Sequence, residues 1–120
     1  MSDEPLRTLF CVWNNQNFFD LPKADIGPVW EATMEFLTSL KNLDGVEIIG
    51  TFDDDAHMVG PSDGWPWTFY VLADVRDQPT VRAACNLLRT IMVGEHALWK
   101  YFKVEARMGR ALTIRDDVAS

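Results

Sequence analysis

Leu98-Trp-Lys-Tyr-Phe-Lys-Val-Glu-Ala-Arg107 alternates without a break. Trp99, Tyr101, Lys103, Glu105 and Arg107 fall on one side, and Lys100, Phe102, Val104 and Ala106 on the other. A period of two predicts a strand, because successive side chains leave opposite faces of the pleat. The second side is largely apolar and calls for a helix behind it. The first carries two large aromatics, two cations and a carboxylate, so it faces either solvent or a pocket.

Working back from that strand, Arg7 to Trp13 is apolar on both sides and reads as a central strand. Asn14 to Gly27 is a loop whose Phe18, Phe19 and Leu21 predict that it packs down. A helix is expected from Pro28, capped by Asp25 or Gly27, with Trp30, Thr33, Met34, Leu37 and Leu40 as its apolar stripe. Val46 to Asp53 reads as a second strand, with Gly50 marking a bulge or a close approach. Trp67 to Val75 reads as a third. Asp77-Gln78-Pro79 opens a helix carrying Val81, Ala84, Cys85, Leu88 and Ile91 at helical spacing, with Gly94 closing it.

The expected order is β-α-β-β-α-β. That order implies an α+β, ferredoxin-like domain: a four-stranded antiparallel sheet with two helices on one face. One domain fills residues 1–120, with its core over 7–112 and a charged tail over 113–120. A large aromatic-bearing face is not expected to stay in water. A second copy packed sheet against sheet would cover it, so a homodimer is expected. In element order the chain resembles the dimeric α/β-barrel superfamily.

Composition removes several function classes. The formal net charge is −7, with no basic patch in the sequence, which argues against nucleic acid and anionic membrane as partners. There is no apolar run long enough to span a bilayer, and Met-Ser-Asp-Glu-Pro lacks the basic start of a signal peptide. A cytoplasmic protein is expected. Cys11 and Cys85 fall inside apolar elements and read as free thiols. No nucleotide or phosphate fingerprint is present.

Asp53-Asp54-Asp55 with His57 is the most chemical-looking cluster. Consecutive side chains on an extended chain diverge, however, and the spacing is not that of a calcium loop, so no metal is expected. Asp53, at a strand end, is the acid best placed to meet a ligand. His57 and His96 are the two histidines and, with Glu105, the candidate bases. Trp13, Trp65, Trp67, Trp99 and Tyr101 are candidate walls for a planar ligand, or equally core and interface residues. Arg107 is a candidate carboxylate clamp, or one end of an exposed ion pair.

Gly50-Thr-Phe-Asp-Asp-Asp55, Met58-Val-Gly-Pro-Ser62, Pro66-Trp-Thr68 and Glu105-Ala-Arg107 with Gly109-Arg110 resemble the small IacB-like proteins. Those are encoded with bacterial indole-3-acetic acid degradation enzymes. The chain is also similar in size to small cofactor-free oxygenases of oxidised indoles. The resemblance implies a role in aromatic catabolism on a carboxylate-bearing indole derivative, by cofactor-free oxygenation, isomerisation or ring opening. Its alternative is a non-catalytic ligand-binding or accessory protein of the same pathway. The resemblance carries no catalytic residues with it.

Overall fold

The computed structural model describes residues 5–14, 18, 20–53 and 68–112. The elements run β1 (Leu6–Asn14), a 3-10 turn over Lys23–Asp25, α1 (Ile26–Asn42), β2 (Val46–Asp53), β3 (Phe69–Val75) and α2 (Gln78–Thr90). A two-residue-per-strand hairpin follows, β4 (Met92–Val93) with β5 (His96–Ala97). A 3-10 turn over Leu98–Lys100 then leads into β6 (Phe102–Gly109).

Four strands form one sheet in the order β2-β3-β1-β6, and every neighbouring pair is antiparallel. The protein is therefore α+β, with a four-stranded antiparallel sheet and two helices, a layout compatible with the ferredoxin-like arrangement. β1 is central, as its two apolar sides predict. Along it, Thr8, Phe10 and Val12 are fully buried on the helix side. They meet Val71, Ala73 and Val75 of β3, Val29, Phe36 and Leu40 of α1, and Val81, Ala84 and Leu88 of α2 in one core. Each fully buried Phe or Leu there contributes about 1.5–3 kcal/mol.

Local signals explain where the elements stop. Asp77 caps α2, its Oδ1 accepting from the Thr80 amide at 2.9 Å and from the Thr80 hydroxyl at 2.5 Å. These bonds hold the Asp77 carboxyl below its ordinary value, with the nearby Arg76 guanidinium adding to the effect. Gly45 ends the α1–β2 turn at φ 89, and its carbonyl accepts the Arg76 amide at 2.8 Å. Gly94 (φ 61) turns the β4–β5 hairpin; α2 has already ended at Thr90.

One strand boundary departs from the alternation. Leu98 to Tyr101 alternates in sequence but folds as a 3-10 turn, and the strand starts at Phe102. The cause is packing: Leu98 and Tyr101 are both buried, at 1% and 5% exposure, and only a helical turn brings positions three apart inward together. Trp99 and Tyr101 therefore do not share a strand face with Lys103, Glu105 and Arg107. The α1 stripe also shifts. Its core face is Val29, Ala32, Thr33, Phe36 and Leu40, while Trp30 and Met34 are 46% and 58% exposed.

β2 carries a bulge between Ile48 and Gly50, where Gly50 is expected to mark one. After it, Thr51 and Asp53 pair with Val71 and Phe69 on the helix side, and Phe52 pairs with Tyr70 on the other. No helix among the described residues is long and apolar enough to cross a membrane.

Candidate functional site

A cleft lies on the helix side, where β1 and β2 end and β3 begins. It encloses about 530 Å³, within the range of small-molecule sites. One wall is α1: Trp30, Met34 and Leu37 stand at i, i+4 and i+7, beside the core face, with Thr33 between. The other wall is the sheet end, with Asn14 of β1, Thr51 and Asp53 of β2, and Thr68 and Phe69 at the start of β3. The apolar width of α1 now has a reason. Half of it packs into the core, and half lines this cleft. Large apolar side chains left this exposed around a concavity mark a place for a partner of similar character.

Its polar groups are specific. The Asn14 amide N–H donates to Thr68 Oγ1 at 3.1 Å, and the Thr68 amide donates to the Val12 carbonyl at 2.6 Å. These bonds tie the end of β1 to the start of β3. Yet Asn14 Oδ1 is buried and accepts no hydrogen bond among the described residues. A buried polar atom without a partner costs free energy, and in native proteins it calls for a specific explanation. A ligand donor reaching this oxygen is one.

The residues singled out from sequence do not converge. Asp53 lies in the cleft. Glu105 and Arg107 lie on the opposite face, turned away from α1 and α2, since their β1 partners in register are Cys11 and Leu9. There Arg107 donates to Glu105 at 2.9 Å, with the two side chains 69% and 46% exposed. An ion pair so exposed contributes less than about 1 kcal/mol. Trp13 is on the same face as Lys103, its cross-strand partner. Trp99 packs at the β6 margin of the core, with the Arg89 guanidinium 5.1 Å and the Lys103 ammonium 3.9 Å from its ring centre. Tyr101 is a core residue. His96 is exposed in the hairpin and lines a separate, smaller hollow with Asp25, Glu95 and Tyr101. His57, Trp65, Trp67, Asp54 and Asp55 lie outside the described residues.

No group of three or more metal-ligating side chains comes together among the described residues. Both cysteines are free, and burial pushes both thiols above their ordinary value. For Cys11, Arg107 pulls the other way and Glu105 adds to the rise.

Sequence reasoning missed Asn14, Thr51, Thr68 and the cleft role of Trp30, Met34 and Leu37. For the α1 residues the signal was there: the apolar stripe is wider than one core contact requires. For Asn14 there was none, because only the fold shows which asparagine is buried without a partner. Compared with family models, curated proteins and solved structures, the chain finds no match in any of the three.

Proposed function

We propose that this protein binds a small, flat aromatic ligand with a ring N–H, of about the size of an indole, in the cleft between α1 and the ends of β1 and β2. The observation that carries the reading is the orphaned Asn14 Oδ1. A ring N–H donated to that oxygen removes its desolvation cost, while Trp30, Met34, Leu37 and Phe69 take the ring. Asp53 offers a second acceptor in the same cleft. The indole class comes from the resemblance to IacB-like proteins, and with it the setting of aromatic catabolism in the cytoplasm.

The cleft alters one part of the expectation. Asp53 opposes a ligand carboxylate, and Arg107 is on the other face of the sheet. Neutral indoles are therefore the better fit, and ligand binding is the activity these residues support. Turnover without a cofactor is the further step that the resemblance adds.

Calorimetric titration with indole, N-methylindole and indole-3-acetic acid, with oxygen consumption followed in parallel, tests the reading. Indole should bind, N-methylindole about tenfold or more weakly, as expected when a donor is lost against a buried acceptor. Indole-3-acetic acid should also bind more weakly than indole. Equal affinity for indole and its N-methyl form would overturn the role of Asn14. Oxygen uptake with bound indole would make the protein an enzyme rather than a carrier.

We also propose that the sheet face turned away from α1 and α2 pairs with a second copy. Phe52 is 59% exposed and stacks on Tyr70 at 4.6 Å, beside the partly buried Leu9, Trp13 and Leu72. Four of the charges around them are matched in pairs, Arg7 with Asp74 and Arg107 with Glu105. Light scattering should give a dimer mass, and Phe52→Lys a monomer. A monomeric parent protein would refute the pairing.

A further inference from the structure

The chain as a whole carries −7, but its charge is unevenly spread. Between residues 82 and 110 there are six cations (Arg82, Arg89, Lys100, Lys103, Arg107 and Arg110) and two carboxylates (Glu95 and Glu105). That segment builds α2 and β6, and β6 is an edge of the sheet. Two of these cations come from different elements onto one side chain: Arg89 from the last turn of α2 and Lys103 from the second position of β6, both over the Trp99 ring. Sharing one ring centre at 5.1 and 3.9 Å, the two charges stand at most about 9 Å apart, comparable to the screening length at physiological salt. Arg7, Arg76 and Arg107 each sit against a carboxylate. Among the described residues, neither Arg89 nor Lys103 is paired in this way.

We propose that Arg89 and Lys103, with Trp99 as the floor between them, bind an oxyanion, a carboxylate or a phosphate, at the β6 edge. The Trp99 ring is partly buried against the core, which makes it a fixed platform, and its π electrons attract both cations. Two like charges so held repel each other. An anion between them reverses the sign of that interaction and accepts hydrogen bonds from both. The guanidinium supplies a planar fork and the ammonium a point charge, a combination suited to a tetrahedral or trigonal oxyanion. This site is separate from the cleft at the sheet end and does not depend on its occupancy.

The test follows the tryptophan indole N–H signals of the labelled full chain by NMR, with Trp99→Phe identifying the Trp99 resonance. Inorganic phosphate and benzoate are titrated separately, each against sodium chloride at matched ionic strength. A saturable shift of the Trp99 signal with phosphate, benzoate or both supports the site and tells which oxyanion it takes. The Arg89→Gln, Lys103→Gln double variant, altered only at side chains outside the core, should weaken that binding at least tenfold with an unchanged circular dichroism spectrum. A shift no different from that caused by chloride, or an unaltered titration in the double variant, would overturn the proposal.

Discussion

Replacing Asn14 by leucine separates stability from ligand binding in a way few other changes here would. The two side chains share the same branching and heavy-atom count, so the substitution leaves no cavity. In the free protein Asn14 Oδ1 is buried with no partner among the described residues. Removing a buried, unsatisfied polar group recovers its desolvation cost, about 1–3 kcal/mol. For 120 residues the unfolding entropy near the melting point is roughly 250 cal/mol/K, so each kcal/mol is worth about 4 °C. The ligand-free variant should therefore melt about 4–12 °C higher than the parent by circular dichroism. The same variant should bind indole about tenfold or more weakly, because an N–H would now face a methyl group. The backbone bond from Asn14 to Thr68 Oγ1 is retained, so the sheet end should keep its geometry. A lower melting temperature would refute the reasoning, since it would mean that the amide supports the fold and is not held in reserve for a ligand.

Three other outcomes follow from local geometry. Gly45→Ala should destabilise the fold by about 1–3 kcal/mol in denaturant titrations, because φ is 89 and the added methyl meets Arg76 Cζ at 3.0 Å; an unchanged midpoint would contradict this. Asp77 has a native carboxyl below its ordinary value, so its contribution is present above the unfolded value of about 3.9 and is lost as pH falls below it; Asp77→Ala should flatten the acid limb of the stability–pH curve, and an identical limb would show that the cap is not the titrating contact. Cys11 is 1% exposed with its thiol pushed up by burial, so at neutral pH it should react with a thiol reagent only at the rate of unfolding; stoichiometric modification of Cys11 in the folded protein would contradict its placement.

The fold was legible where local chemistry and tertiary packing agree. Asp77-Gln78-Pro79 signalled a helix start and delivers a cap. Gly50 marked the bulge, and the doubly apolar β1 is central. The reading went astray where packing overrode pattern. Leu98 to Tyr101 alternates in hydrophobicity, but burying Leu98 and Tyr101 together requires a turn. The same limit scattered the expected site. Trp99, Tyr101, Glu105 and Arg107 were grouped because they share parity in one stretch, and once that stretch breaks at Phe102 they go to the edge, the core and the open face. Asp53 was singled out as a strand-end acid, and the structure brings it to the cleft. Asn14 could not be singled out, because burial without a partner is a property of three dimensions only.

The bulge in β2 decides what that cleft is made of. Up to Ile48 the even-numbered positions look toward the helices; beyond the bulge the odd-numbered ones do. Thr51 and Asp53 thus reach the cleft, and Phe52 goes to the far side to lie on Tyr70. Without the bulge, a regular ladder running through Ile49 would slip the strand by one: the Phe52 ring would plug the hollow, and Asp53 would look out from the other side of the sheet. The chemistry of the hollow is thus written partly in a count. A relative of the same length whose strand ran without that bulge would present a greasy, closed surface in its place.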